Sequence, residues 1–351
     1  MEKFEPKIER IGTEIDNTIK IDITCRGIIE VLYKAAREKI GGPLTMSAAA
    51  ALKREVNPGN VVLIATGFPA RSWLVSGLTE TDGPVGAAVL ARAVNIMDAV
   101  PVILTEESII KYSAACCRGA GLIVTDLEKA VRSKPLPRGR GYTPTVALEK
   151  FPVDQKLARE AAEKLIAELK PKAIIAVEMP SQNEKGVYHT ARGEAVPSEL
   201  VAKIDYLFNE ANAQKILTIG IGDGGNEIGM GVVRDITEKY VPHGSKCVCP
   251  CGSGIAAATE AEILVAAVVS NWGACGITAS LSYLLNNPSV LPSATLVRRI
   301  LTEAANVGTV DGSSGCAEAS EDGVPGLVSS GVINIMRTIV GYGLKGHPLY
   351  L

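Results

Sequence analysis

Acidic residues stand directly after short apolar segments at several places in this chain, a placement that favours metal chemistry. The most informative segment is residues 219–231, with the sequence IGIGDGGNEIGMG. Its Asp223 and Glu227 are four residues apart, so both carboxylates point into one pocket if a helix begins near Gly224. The glycines formally match the dinucleotide motif G-x-G-x-x-G, but two carboxylates would repel a pyrophosphate unless a divalent cation lay between them. We therefore predict metal binding here and no NAD or nucleotide; the alternative is a glycine-rich turn in which Asp223 caps a helix.

Four further acidic residues follow the same pattern. Glu80 and Asp82 precede Gly83 and Pro84, and a proline there fits the first position of a helix. Capping of that helix accounts for Asp82 but leaves Glu80 unexplained. Glu178 ends the apolar run AIIAVE, where a carboxylate is costly unless it is paired or bound to a metal. Asp311 follows another short apolar segment, although an ordinary Asp-Gly turn is an equal alternative.

These acids can form one site because ligands of parallel α/β sheets bind at the carboxyl ends of the strands. Oxygen ligands select hard cations, so we predict one to three Mn²⁺ or Mg²⁺ ions. The predicted metal ligands are Glu80, Asp82, Glu178, Asp223, Glu227 and Asp311. The predicted catalytic residues are Glu178, Glu227 and Asp223, with the two glutamates as candidates for proton transfer. The predicted substrate contacts are Thr66, Gly67, Arg192, Asn226, Gly224 and Gly225. Arg192 suits a carboxylate or a phosphate, so we expect a small anionic substrate.

The sequence also contains three alternating cysteines, Cys247, Cys249 and Cys251, with His243 close by. Three thiols could hold a soft metal, but their spacing is not the usual C-x-x-C. On an extended strand they would face one side and pack, and this is the interpretation that we favour. His189 is predicted to be a surface or hydrogen-bonded residue and not a catalytic base. Because no apolar signal segment begins the sequence, we expect a cytoplasmic protein with reduced thiols.

Short apolar runs alternate with helical patterns along the chain, which predicts a mostly parallel sheet with helices on both faces, a Rossmann-like three-layer α/β fold. We expect a single catalytic domain over 1–351, with a helical N-terminal segment, 1–58, packed on it. The predicted strands are 60–65, 102–105, 122–125, 173–178 and 215–221. The basic stretch 129–142 is interpreted as a solvated surface loop, with a lid over an anionic substrate as the alternative.

Composition excludes other classes of protein. Lys and Arg total 36 against 38 Asp and Glu, a net charge of −2, whereas nucleic-acid binders usually have a basic domain. Residues 263–297 contain no charge, but polar side chains interrupt the stretch, so we predict buried core elements and no membrane span. The sequence leaves the oligomeric state open, a homo-oligomer included.

The acidic motifs together resemble the D-glutamate cyclase family, specifically its C-terminal metal-dependent domain. The matching segments are ETDGPVGAAVLARA from Glu80, the stretch from Glu178 to Gly193, IGIGDGGNEIGMG from Ile219, and Val310-Asp311-Gly312. The resemblance implies an α/β fold with an acidic cavity for divalent metal, formed by the six carboxylates above, and conversion of D-glutamate to 5-oxo-D-proline and water. The larger eukaryotic cyclase has an additional N-terminal hydro-lyase-like domain, for which 351 residues have no room. A metal-dependent phosphatase and a non-catalytic metal- or ligand-binding module are the alternatives.

Overall fold

A seven-stranded parallel sheet forms the centre of the computed structural model, which describes residues 4–71, 74–133 and 143–346. Its strands are β1 (Val61–Thr66), β2 (Val100–Thr105), β3 (Ile123–Thr125), β4 (Thr145–Lys150), β5 (Ala173–Val177), β8 (Leu217–Gly222) and β9 (Ile263–Ala266). Their spatial order is β3-β4-β2-β1-β5-β8-β9. Two small antiparallel hairpins lie outside the sheet: β6 (Tyr188–His189) with β7 (Ala195–Val196), and β10 (Ser320–Glu321) with β11 (Val324–Pro325). The parallel pairing of the seven strands in the main sheet confirms the predicted α/β class.

Helices cover both faces of the sheet, as predicted. The helices are α1 (Pro6–Ile19), α2 (Ile29–Ile40), α3 (Leu44–Glu55), α4 (Pro84–Ile96), α5 (Ile110–Gly119), α6 (Leu127–Arg132), α7 (Gln155–Leu169), α8 (Ile204–Ala213), α9 (Arg234–Tyr240), α10 (Ser270–Leu284), α11 (Ala294–Asn306) and α12 (Gly326–Lys345). Successive β1 side chains point to opposite faces. Val62 and Ile64 join the core with α1–α5 and α10–α12, whereas Leu63 and Ala65 join a second core with α6–α8.

The N-terminal helices are part of the larger core. Ile15 and Ile19 of α1, Leu32 of α2 and Leu52 of α3 are fully buried in the same cluster as α10. Asp16 of α1 fixes the start of α3, because its carboxylate accepts hydrogen bonds from the amides of Leu44 (2.6 Å) and Thr45 (3.1 Å). The first three helices therefore position the segment that follows α1, which reaches the site described below.

Two local predictions are wrong, and one strand was not predicted. No helix begins near Gly224; the chain remains in turns until a short 3₁₀ segment at Gly231–Val233 precedes α9. Gly225 (φ 97°) and Gly229 (φ 101°) have left-handed backbone conformations that an α-helix excludes. Strand β4 was not predicted. Of the basic stretch 129–142, residues 129–132 lie in α6, whose start is capped by the Asp126 carboxylate, and not in a loop; residues 134–142 are outside the described part of the chain.

The uncharged stretch 263–297 forms buried elements, as predicted. It contains β9 and α10, and α10 is buried from Ser270 to Ser282. Among the described residues, one helix, α12, is long and apolar enough to cross a membrane by length and composition alone. One side of α12 packs into the protein core through Val332, Ile333 and Met336.

Candidate active site

Three adjacent strands deliver the site residues to one edge of the sheet. Strand β5 is followed directly by Glu178 and strand β8 by Asp223, while β9 leads through a short connection into α10. Glu80 arrives on the loop before α4, where it forms a β-bridge with Val310. Because the strands are parallel, their carboxyl ends meet, and the acids meet with them.

A cavity of about 530 Å³ opens at this edge. Four of the six carboxylates predicted as metal ligands line it: Glu80, Glu178, Asp223 and Glu227. The predicted substrate contacts Arg192 and Asn226 line it as well. The sequence did not predict Arg26, Arg71 and Asp322, which also contribute to the wall.

Asp82 lies behind the wall of the cavity, fully buried. One carboxylate oxygen from each of Asp82, Glu178 and Asp223 lies within 4.8 Å of the other two, so the three residues form a compact set of oxygen donors. The two Asp82 oxygens also accept hydrogen bonds from the first amides of α10, Ser270 (2.8 Å) and Asn271 (2.7 Å). The positive end of the α10 dipole thus faces the Asp82 carboxyl group and favours its ionised form, whereas burial acts the other way and raises the pKa of Asp82 well above its ordinary value.

The first turn of α10 holds this acidic layer together. Ser270 donates its hydroxyl to Glu178 Oε2 at 2.6 Å. Asn271 Oδ1 accepts from the amides of Gly83 (3.0 Å) and Gly86 (2.6 Å) at the start of α4, so α4 and α10 cap each other through Asp82 and Asn271. These polar residues were predicted only as interruptions of an apolar run.

A second buried acid stands behind this turn. Asn271 Nδ2 donates to Glu321 Oε2 (2.7 Å), and Trp272 Nε1 donates to Glu321 Oε1 (2.9 Å). Glu321 is fully buried, and burial raises its pKa. Its hydrogen bonds attach the β10–β11 hairpin to α10, and the next residue of that hairpin, Asp322, reaches the cavity.

Glu227 organises the glycine-rich loop. Its Oε1 accepts from the amides of Asp223 (3.1 Å) and Gly224 (2.7 Å), and its Oε2 accepts from the amide of Gly225 (2.8 Å). The two glycine amides predicted to contact substrate therefore already have an acceptor. This loop conformation explains why the helix predicted near Gly224 is absent. In a helix the amides of residues 223–225 would point along the helix axis and could not all point at the Glu227 carboxylate.

An ion pair joins the N-terminal segment to the cavity. Arg26 Nη2 donates to Asp223 Oδ2 at 2.6 Å, and Arg26 Nη1 lies 4.0 Å from Asp322 Oδ2. The Asp223 side chain is 6% exposed and that of Arg26 33% exposed, so the pair is partly shielded from water. Burial alone would raise the pKa of Asp223, but the Arg26 guanidinium lowers it below its ordinary value.

The neighbouring carboxyl groups are driven toward the protonated form. Burial and the Asp82 carboxylate raise the pKa of Glu80 well above its ordinary value. Burial and Glu227 do the same to the pKa of Glu178. For Glu227 itself, burial and the Asp223 charge raise the pKa to about 7, against the opposing effect of the amide hydrogen bonds. So many acids cannot ionise together unless cations join them, and Arg26 supplies only one positive charge.

Backbone strain marks the same edge. Glu178 has φ 43°, which is uncommon for a residue with a side chain and is concentrated at functional sites. Gly83 packs so closely that an added Cβ would lie 2.7 Å from Thr66 Oγ1 and 3.0 Å from Glu178 Cβ. Thr66 and Gly67 are not among the residues that line the cavity, which leaves their substrate contact a prediction.

Asp311 organises the opposite wall. Its Oδ1 accepts from the amides of Ser313 (2.9 Å) and Ser314 (2.7 Å), and its Oδ2 accepts from the amide of Gly323 (2.8 Å). These bonds fit the Asp-Gly turn that was the alternative to metal ligation, and they attach the turn to the β10–β11 hairpin. The role of Asp311 as a ligand stays a prediction.

Arginine side chains stand at the mouth of the cavity. Arg192 is exposed on the turn between β6 and β7, and among the described residues its guanidinium has no ion-pair partner. Arg71 Nη2 donates to the carbonyl oxygens of Gly312 (3.3 Å) and Ser313 (3.1 Å) on the opposite side. The entrance is basic and the interior acidic, an arrangement suited to a molecule with both anionic and cationic groups.

The fold and the site together define an α/β protein with a buried carboxylate cavity at the carboxyl edge of a parallel sheet. The model of the "D-glutamate cyclase-like, C-terminal" family matches residues 15–337, and the chain belongs to this family. The resemblance seen in the acidic motifs is thereby confirmed. The chain is also similar to human mitochondrial D-glutamate cyclase, with 29% identity over 284 residues. That match covers 79% of this chain and 39% of the human protein, so the chain spans well under half the length of that relative.

Proposed function

We propose that this protein is a metal-dependent cyclase that converts D-glutamate to 5-oxo-D-proline and water. Family membership supports the reaction class, and the observation that carries the proposal is the cavity wall formed by Glu80, Glu178, Asp223 and Glu227. The reaction joins the substrate nitrogen to its γ-carboxyl carbon and expels one carboxyl oxygen as water. It therefore needs a base for the ammonium group and an acid for the departing oxygen.

Asp82, Glu178 and Asp223 are the residues that fit a divalent cation. One carboxylate oxygen of each residue lies within 4.8 Å of the other two, and all three side chains are buried. Oxygen-only donors of this kind suit Mg²⁺ or Mn²⁺, and a cation would offset the repulsion that raises the pKa of Glu178. When bound, the ion supplies Lewis-acid polarisation of a substrate carboxyl group.

The remaining groups bind the substrate and move its protons. Arg192 and Arg71 at the mouth offer bidentate donors to a carboxylate. Glu227, with its pKa of about 7, can exchange a proton near neutral pH and is the candidate for taking one from the ammonium group. Once protonated, Glu227 can give that proton to the leaving oxygen, while Glu178 stays ionised as a ligand of the ion. Ser270 fixes the orientation of Glu178 through its 2.6 Å hydrogen bond.

A turnover assay with matched variants tests the proposal. Metal-stripped protein receives Mn²⁺ or Mg²⁺ and then D-glutamate, L-glutamate or small phosphate esters, and chiral chromatography and phosphate release are measured. We expect 5-oxo-D-proline from D-glutamate, lost in Asp223→Asn and retained in Asp235→Asn, which changes an exposed aspartate of α9. Phosphate release without 5-oxoproline would identify a phosphatase. Metal binding without any turnover would identify a non-catalytic module.

A further inference from the structure

Three cysteines and one histidine converge outside the acidic cavity. Cys247 Sγ lies 3.4 Å from Cys249 Sγ and 3.3 Å from Cys251 Sγ. His189 Nε2 lies 3.3 Å from Cys249 Sγ and 3.5 Å from Cys251 Sγ. All four atoms are within 4.8 Å of one another, so they surround one point in space.

This arrangement differs from the predicted one. The segment 247–251 forms successive turns and not a strand, so the thiols converge on one point where packing on a strand would have spaced them apart. The histidine of the cluster is His189 and not the nearby His243, whose ring packs against Gly193. His189 was predicted to be a surface or hydrogen-bonded residue; at 1% exposure it is not on the surface, and its Nε2 lies within hydrogen-bonding distance of two thiols.

The distances match a tetrahedral ligand shell. Zn–S bonds of ~2.3 Å and Zn–N bonds of ~2.0 Å at tetrahedral angles place sulfurs ~3.8 Å apart and sulfur and nitrogen ~3.5 Å apart. The measured separations are within about half an ångström of these values, and three sulfurs with one imidazole are an established structural zinc set. Four donors close such a site and leave no open position for a substrate. We propose that His189, Cys247, Cys249 and Cys251 bind one structural Zn²⁺ ion.

Outer contacts support the same assignment. Asn183 Nδ2 lies 3.5 Å from Cys251 Sγ as a donor and also donates to the Gly254 carbonyl at 2.8 Å. Three thiolates and a neutral imidazole give the zinc complex one net negative charge. Lys185 lies beside it, with Nζ 3.0 Å from the Cys251 carbonyl oxygen. Such second-shell donors orient ligands and tune the bound metal.

The proposed zinc ion would hold the β6–β7 hairpin, which forms part of the cavity wall. His189 ends β6, a two-residue strand that is too short to hold its hairpin in place alone. The hairpin turn carries Arg192, and the His189 carbonyl accepts from Asn226 Nδ2 at 2.9 Å. A zinc ion would fix this hairpin against 247–251 without touching the reacting groups. The site does not depend on the function proposed above.

Metal analysis tests the assignment. The whole chain is purified under reducing conditions from zinc-supplied cells, dialysed against a weak chelator and measured by plasma mass spectrometry. We expect about one zinc per chain, falling roughly tenfold or more when Cys249→Ser and Cys251→Ser are combined. Cys25→Ser, which changes an exposed cysteine, should keep the zinc. Asp223→Asn should keep it too, because the acidic cavity is a separate site.

Cobalt substitution tests the ligands in the unmutated protein, so the result does not depend on how the variants fold. Co²⁺ bound by three thiolates gives intense sulfur-to-metal charge-transfer bands and the strong visible bands of tetrahedral cobalt, whereas oxygen ligands give neither. The assignment is overturned if zinc-reconstituted wild type retains no zinc after dialysis, if Cys25→Ser loses as much zinc as the double variant, or if the cobalt spectrum lacks thiolate bands.

Discussion

Replacement of Arg26 by methionine tests how the acidic cavity is held together. Arg26 lies in the segment between α1 and α2, and its guanidinium is 2.6 Å from Asp223 Oδ2. Methionine retains much of the aliphatic length and removes the charge. Among the described residues Arg26 is the ion-pair partner of Asp223, so the change leaves Asp223 facing Glu227 and Asp322, and its pKa, now held low by Arg26, should rise.

The size of the effect follows from the exposure of the two partners. Removing one partner of a fully buried ion pair costs about 3–5 kcal/mol. Since a third of the Arg26 side chain is exposed, solvent screening reduces this to about 2 kcal/mol. For a chain of 351 residues, that free energy lowers Tm by about 3 °C.

The assay is thermal unfolding at neutral pH in the presence of a chelator, with and without added Mn²⁺. Arg10→Met on the exposed face of α1 is the control and should leave Tm nearly unchanged. With one positive charge removed, the cavity should bind Mn²⁺ more tightly, so added metal should recover more Tm in Arg26→Met than in wild type. If Arg26→Met behaves like Arg10→Met in chelator, or if Mn²⁺ stabilises it less than wild type, the electrostatic account of the cavity is refuted.

Three further predictions follow from the same network. Glu227→Gln should lower kcat about 10²–10⁴-fold, because the amide cannot take a proton from the substrate, and steady-state kinetics would measure the loss. In metal-free protein, the raised pKa of Glu227 means that the folded state holds its proton more tightly; this stabilisation is complete below about pH 4.5 and is lost as pH rises through about 7. Urea unfolding should therefore show stability falling across that range, and a flat profile would contradict the shift. Asn271→Ala should cost about 2–4 kcal/mol in urea unfolding, because two α4 amides and Glu321 lose partners, whereas the exposed Asn334→Ala should change little.

The central strands could be predicted from sequence because their signal is local. The run at 60–65 predicts β1 to within one residue, and 173–178 predicts β5 with Glu178 just beyond its end. Parallel strands that are buried on both faces read as continuous apolar runs, so their placement needs no knowledge of the rest of the chain. The rule that ligands bind at carboxyl ends then led to four of the acids that line the cavity.

Features that depend on contacts between distant segments could not be predicted in this way. Arg26 and Asp223 are separated by 197 positions, and nothing near Arg26 in the sequence indicates its partner. The helix expected near Gly224 is absent for a local reason: the Glu227 carboxylate accepts a hydrogen bond from the Gly224 amide and holds the segment as a loop. Asp322 had a usable signal, because the acid-glycine pair Asp322-Gly323 repeats the pattern of Asp223-Gly224.

The first turn of α10 shows how a polar residue in an apolar segment can be interpreted further. Ser270 and Asn271 were interpreted as interruptions that predict buried core elements and no membrane span, because such groups are costly in lipid. The same cost applies inside a folded protein, where a buried polar side chain must find partners. A serine and an asparagine that follow a buried strand and start a buried helix must therefore bind groups at the carboxyl edge of the sheet. In this protein those groups are Glu178, Glu321 and the start of α4, so the two residues were also a sequence signal for the acidic site.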